Sequence, residues 1–216
     1  MIAKKYVLQP LAVAALVFAA GASQAAFIRT FTDVAAFNAA TSLQGTDQYT
    51  GFLITDVTPS PIMRNTQSGV SYGYTASAFD DFFGGGTLAN PFLSPNTSTS
   101  SITFSGFSTA VRAIGGNFFG SDINGAFAAG DIMLTFTDSL GASLSQTITN
   151  ATQATFRGVL SNASITSLTV TSVQPRSGDL WPSVDNLVMG VPEPGTYGLA
   201  LAALGLAGFI TRRRRS

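Results

Sequence analysis

The sequence predicts a mainly β protein, folded as an antiparallel β-sandwich with one short helix near its N-terminus. Five stretches alternate polar and apolar residues with the period of two that a half-buried strand requires: residues 101–107, 131–137, 142–149, 154–160 and 164–171. Between two of them, Asp138-Ser-Leu-Gly141 is typical of a tight hairpin turn. Many short strands separated by Gly, Pro and Asn favour a sandwich.

Three other segments complete the predicted fold. Residues 111–120 are apolar at most positions, which indicates a central strand buried on both faces. Residues 184–189 form the predicted last strand. Residues 33–41 have a helical pattern, with Thr32 or Asp33 as the candidate N-cap.

The first 25 residues have the three regions of a secretory signal peptide. Lys4 and Lys5 supply the positive charge, residues 11–20 are apolar, and Ser23-Gln24-Ala25 offers small residues for a signal peptidase. We expect cleavage after Ala25. The alternative is a retained N-terminal anchor, and both interpretations place the following domain outside the cytoplasm.

A second export feature lies near the other end. Pro192 and Pro194 each restrict the backbone and hold Glu193 extended between them. Residues 194–211 carry no charge and would span about 27 Å as a helix, close to the thickness of a bilayer core. The four arginines that follow should stay cytoplasmic; they are Arg212, Arg213, Arg214 and Arg215. The alternative is a buried or amphipathic helix with a solvated basic end.

Pro-Glu-Pro, a short apolar helix and an arginine cluster, in this order, resemble the PEP-CTERM sorting signal. The resemblance implies an exosortase as partner, a membrane transpeptidase that recognises and cleaves near the motif. It also implies export across the inner membrane of a Gram-negative-type cell, anchoring by a helix over about residues 195–211, and delivery to the cell surface or extracellular matrix. The predicted domains are the signal peptide (1–25), the ectodomain (26–190) and the sorting signal (191–216).

The order of segments in the ectodomain is similar to that of domains which often precede this signal. The matching segments are the early helix, residues 112–119, residues 156–160 and residues 184–187. Such domains are predicted to be jelly-roll-like sandwiches, similar in shape to carbohydrate-binding modules. The resemblance therefore implies a jelly-roll-like arrangement of the strands.

Composition excludes several kinds of chemistry. The chain has no cysteine and no histidine, so disulfides, Ser-His-Asp and Cys-His nucleophiles and the usual zinc sites are ruled out. Residues 26–190 contain five arginines and ten aspartates without lysine or glutamate, a net charge of −5. An acidic domain of this kind is not expected to bind nucleic acid.

Few residues remain as candidates for binding or catalysis. Asp80-Asp81 is the obvious carboxylate pair for glycoside hydrolysis, but it looks like a loop that enters a turn, and we predict no catalytic residues. Calcium is the candidate cofactor, with hard oxygen ligands from Asp122, Asn124 and Asp131, although these residue types also build ordinary turns.

Aromatic side chains suggest a sugar-binding surface. Trp181, next to a proline, is expected at a loop tip, and Tyr72 and Tyr74 would share one face of an extended segment. The leading hypothesis is a non-catalytic structural or adhesive protein associated with exopolysaccharide or biofilm. The alternatives are a carbohydrate-binding module, supported by calcium, and a polysaccharide-acting enzyme.

Overall fold

The computed structural model describes residues 27–54 and 56–193. The predicted signal peptide, the apolar segment 195–211, Pro194 and the four arginines lie outside the described residues. Within the described ranges, no helix combines the length and the apolar character needed to cross a membrane.

The described chain contains one α-helix and seventeen strands. In chain order they are β1 (Ile28–Phe31), α1 (Val34–Ala40), β2 (Thr41–Asp47), β3 (Val57–Thr58), β4 (Ile62–Asn65), β5 (Ser68–Gly69), β6 (Gly73–Ser77), β7 (Phe82–Phe83), β8 (Gly85–Thr87), β9 (Asn90–Phe92), β10 (Ile102–Ser105), β11 (Ala113–Ser121), β12 (Phe127–Ala128), β13 (Gly130–Asp138), β14 (Ser143–Ala151), β15 (Phe156–Ser161), β16 (Ile165–Val173) and β17 (Trp181–Pro192).

These strands form two large antiparallel sheets. The first has the order β1-β15-β11-β17-β2-β5, with β12 also paired to β11, and the second has the order β14-β13-β16-β10-β6-β4. The strands β3 and β7, and β8 and β9, make two small ribbons. The mainly β, antiparallel prediction is confirmed, and all five alternating stretches lie on strands. The finer jelly-roll assignment stays a prediction.

One hydrophobic core joins the two sheets. Ile114 and Leu187 from the first sheet and Leu134, Phe136 and Leu168 from the second are all fully buried in the same cluster. Because alternate residues of a strand point to opposite faces, each sheet turns one row of apolar side chains to this core. Burial of those rows is what holds the two sheets face to face.

The helix covers the other face of the first sheet. Phe37 of α1 is fully buried and packs edge-on against Phe31 at 5.6 Å and Phe156 at 5.4 Å between ring centroids. Ala113 and Val188 belong to the same smaller cluster. Strand β11 therefore has apolar neighbours on both faces, which confirms the central strand predicted from its unbroken apolar run.

Local signals in the sequence form as predicted. Asp33 is the N-cap of α1, and its Oδ1 accepts a hydrogen bond from the Ala36 backbone N–H at 2.8 Å. In the hairpin between β13 and β14, Gly141 has a φ of 81° and its N–H donates to the Asp138 carbonyl at 3.1 Å. Glycine adopts this left-handed conformation without strain.

Strand β17 is longer than the sequence predicts. It begins at Trp181 and continues to Pro192, pairing with β11 on one side and β2 on the other. At its end Val191 lies opposite Ser42 and Pro192 opposite Thr41. The boundary predicted after residue 190 thus falls inside a strand of the sandwich.

Candidate functional site

The first residues of the sorting motif are held by the folded domain. Pro192 ends the β17 ladder, and the Glu193 backbone N–H donates to the Ala40 carbonyl at 3.1 Å. A surface cavity of about 420 Å³ adjoins this segment and is lined by Ala110, Arg112, Val191, Pro192 and Glu193. The motif therefore starts on the sheet itself, without a linker between the two.

Tyr72 and Tyr74 share one face, as predicted, but that face is the core. Their exposed fractions are 4 % and 3 %, and both hydroxyls donate inside the protein. The Tyr72 hydroxyl donates to the Leu43 carbonyl at 2.6 Å and the Tyr74 hydroxyl to Asp47 Oδ2 at 2.7 Å. The expectation of an exposed aromatic surface at these two residues is wrong, because Tyr74 on β6 and Tyr72 just before that strand both point into the hydrophobic core between the two sheets.

Tyr74 belongs instead to a buried polar cluster around Asp47. The Asp47 carboxylate is fully buried and accepts two hydrogen bonds from Arg64, at 2.7 and 2.8 Å, and one from the Tyr49 N–H at 2.7 Å. The Arg64 guanidinium lies over the Tyr49 ring at 5.2 Å and the Phe52 ring at 5.8 Å. This bidentate pair satisfies a charge that would otherwise be costly to bury.

Burial is the largest influence on the pKa values of Tyr49, Arg64 and Tyr74 in this cluster. It raises the pKa of Tyr74 above the ordinary value, and the charge and hydrogen bond of Asp47 raise it further. Burial likewise raises the pKa of Tyr49, with Tyr74 and Asp47 as additional causes. For Arg64, burial opposes the charge, but the hydrogen bonds and charge of Asp47 raise its pKa. All three groups therefore keep their ordinary protonation states at neutral pH.

Trp181 lies beside a cleft of about 210 Å³. It is the first residue of β17, opposite Ser121, so the expected loop tip is in fact the start of a strand. The half-buried ring has its indole N–H fixed by the Asn96 carbonyl at 3.2 Å. Ile123 and Asp122, from the turn after β11, line the same cleft.

The candidate calcium ligands are engaged in local structure. Asp122 Oδ1 accepts from the backbone N–H groups of Asn124 and Ala126, both at 2.9 Å, which is the geometry of an Asx turn. Asp131 lies in β13 of the second sheet, where its Oδ1 accepts from the Asn150 N–H at 2.8 Å. Over residues 27–54 and 56–193 no group of three or more acidic side chains is placed to hold a metal. Turn formation therefore accounts for the contacts of Asp122, and a contact between the neighbouring strands β13 and β14 accounts for that of Asp131.

The largest of these clefts was not predicted as a binding site. It has a volume of about 550 Å³ and lies between the segment after β6 and the loop before β10. Phe79, which is 99 % exposed, and Asp80 stand on one wall, and Thr97 and Thr99 on the other. The available signal in the sequence is Phe79 followed directly by Asp80 and Asp81, a pair whose residue types indicate only a catalytic candidate.

The fold and the motif together define a class: β-sandwich domains whose sorting signal begins within their last strand. A family model described as "PEP-CTERM protein-sorting motif" matches residues 190–215. No curated protein matches the chain. The predicted resemblance is confirmed: the chain carries a PEP-CTERM sorting motif. This motif indicates export, surface or extracellular localisation and processing by an exosortase.

Proposed function

We propose that the chain is a surface or extracellular-matrix protein whose sandwich has a structural or adhesive, non-catalytic role in exopolysaccharide. The observation that carries the proposal is the continuity of β17, which runs from the core at Leu187 to Pro192 of the motif. Because motif and domain share a strand, export delivers the sandwich as the cargo. The segment at about 195–211 would anchor this cargo in the inner membrane until processing.

The use of the aspartates supports a role without catalysis. Asp47 is neutralised in a buried pair, Asp33 caps the helix, and Asp122 and Asp138 hold turns through their Oδ1 atoms. Asp138 Oδ2 also accepts from the Ser161 hydroxyl at 2.6 Å. These carboxylates are acceptors for groups of the scaffold, so their contacts serve folding.

Mass spectrometry of the protein recovered from the producing cells tests delivery and processing together. We expect the surface fraction to contain the sandwich without Arg212 to Arg215. Glu193→Ala should leave the arginines attached and the protein in the membrane fraction. Arg176→Ala, a change in an exposed residue of the sandwich, is the matched control and should be processed like the wild type. Wild-type surface protein that retains the arginines would refute processing.

A carbohydrate-binding module is the second candidate function. It is favoured by the Trp181 cleft, where an aromatic ring stands beside the Asn96 and Asp122 segments. A glycan array with and without a calcium chelator tests it. Glycan binding by the wild type that is lost in Trp181→Ala would support this function. If calcium supports the site, the chelator should also abolish glycan binding. An array without signal would refute it.

A further inference from the structure

Within residues 27–54 and 56–193, the Asp80 carboxylate has no hydrogen-bond partner. Both of its oxygens are shielded from solvent, and neither makes a hydrogen bond within the described part of the chain. A carboxylate removed from water without donors is unfavourable by a large amount, since each oxygen loses its hydration. The neighbouring Asp81, by contrast, accepts from the Ser60 N–H at 3.4 Å. Asp80 therefore lacks donors that a bound molecule could supply.

Asp80 lines the 550 Å³ cleft, whose walls are held in place by hydrogen bonds. The Phe79 N–H donates to the Ser100 hydroxyl at 3.0 Å, and the Ala78 N–H to the Ser60 hydroxyl at 2.9 Å. The Phe79 backbone is thus fixed while its ring is almost fully exposed. A ring in this position contributes little to folding, because it buries almost no surface.

The opposite wall is equally fixed. Gln174 Nε2 donates to the Ser98 carbonyl and to the Leu180 carbonyl, both at 2.8 Å, and Ser172 donates to the same Ser98 carbonyl at 3.1 Å. These contacts hold the loop that contributes Thr97 and Thr99. The hydroxyls of these two threonines make no hydrogen bond within residues 27–54 and 56–193. A preformed wall costs little ordering free energy when a ligand binds.

The chemistry of the cleft selects a class of ligand. No arginine or lysine is among its lining residues, and its one charged group is an acceptor, so an anion is disfavoured. Free hydroxyls, an acceptor that needs two donors and an exposed ring suit a molecule with neighbouring hydroxyls and an apolar face. A neutral sugar has both features.

The geometry points to this cleft as a binding site for a neutral saccharide: two adjacent sugar hydroxyls donate to Asp80, Thr97 and Thr99 contact further hydroxyls, and Phe79 stacks on the sugar ring. Because both carboxylate oxygens are shielded from solvent in the described conformation, this binding mode requires the Asp80 side chain to rotate toward the cleft, where the sugar hydroxyls supply the missing donors. This inference rests on the proposed carbohydrate association, and it assigns the site to a different cleft from that of Trp181.

Calorimetric titration of the full chain with neutral hexasaccharides tests the site. The probes are cellohexaose, xylohexaose, mannohexaose and chitohexaose. The full chain includes the apolar segment 195–211 and is kept in detergent, which must lack a sugar headgroup that would compete with the probes. We expect Asp80→Asn and Phe79→Ala each to weaken binding about tenfold or more. Asp56→Asn and Leu88→Ala, at exposed positions, are the matched controls and should bind like the wild type. Asp80→Asn should also melt no lower than the wild type, because it removes an unpaired buried charge.

The outcomes separate this site from the broader function. Binding that is lost in Trp181→Ala but retained in Asp80→Asn and Phe79→Ala would overturn the site and keep the function. A wild type that binds none of the four probes would overturn both. Loss of binding on chelation would assign the carboxylate to a cation and overturn the sugar contacts. A lower melting temperature for Asp80→Asn would show a scaffold role for this carboxylate and overturn the argument from its missing partners.

Discussion

Replacing Arg64 with methionine should lower the stability of the sandwich more than most single substitutions. The change keeps much of the apolar stem but removes the guanidinium that gives Asp47 two of its four hydrogen bonds. Asp47 is fully buried, so the charge left behind has no access to water. The Arg64 side chain is itself only 16 % exposed. The pair is therefore treated as buried, without the discount that applies to surface pairs.

Removing one partner of a buried pair costs about 3–5 kcal/mol. In a protein of this size, each kcal/mol shifts the melting temperature by about 2–4 °C, so the expected loss is about 6–20 °C. The contacts of Arg64 with the Tyr49 and Phe52 rings are lost as well, which favours the upper part of the range. The strand that carries the motif should be affected too, because Asp47 pairs with Leu187 in the β2–β17 ladder that continues to the motif.

Thermal unfolding followed by circular dichroism measures this effect. Arg176→Met is the control, since it removes an exposed arginine with the same substitution. The double variant Asp47→Asn/Arg64→Met removes the charge and its partner together, and should be less destabilised than the sum of the two single variants by about 0.5–3 kcal/mol. The reasoning is refuted if Arg64→Met lies within 1 kcal/mol of the control, on the order of an ordinary surface change, or if the two single effects add.

Three further predictions concern ionisation and packing. Burial raises the pKa of Tyr74, so the contribution of this residue to stability should be fully present below the unfolded phenol pKa of about 10 and should decrease above it. In thermal melts between pH 8 and 11, Tyr74→Phe should therefore lose stability less steeply with pH than the wild type. Burial also raises the pKa of Asp185 from 3.8, so ionisation costs stability as the pH rises above that value. The difference in stability between Asp185→Asn and the wild type should therefore favour the variant more at pH 7 than at pH 3. An equal difference in stability at the two pH values would contradict this. Gly158→Ala places a Cβ 2.6 Å from Phe37 Cδ2, and should cost about 1–3 kcal/mol by urea unfolding, whereas an unchanged midpoint would show that α1 yields without strain.

The parts of the fold predicted correctly from sequence depend on near neighbours in the chain. The Asp33 cap and the Asp138 hairpin are made by residues within a few positions of each other, so their residue types specify them. Alternation likewise predicted the long strands β13, β14 and β16. Strand β2 was not predicted, because its ladder partners are residues 187–192 of β17, far away in the sequence.

The candidate sites were harder to predict because exposure depends on tertiary packing. Alternation correctly put Tyr72 and Tyr74 on one face but could not tell that this face is buried. Phe79, two positions beyond the end of β6, is almost fully exposed. Whether a carboxylate has a partner also depends on distant segments: Asp47 pairs with Arg64, whereas Asp80 has no partner in the part of the chain that the structure describes.

The sequence by itself determined the export motif, the mainly β class and the local turns, since each is a pattern of adjacent residues. Only the tertiary structure decided that the motif continues the last strand and that the Asp80 carboxylate finds no hydrogen-bond partner within the described residues. The physical reason is the same for both: strand pairing and burial are set by segments that are remote in sequence and meet only when the two sheets close on their core.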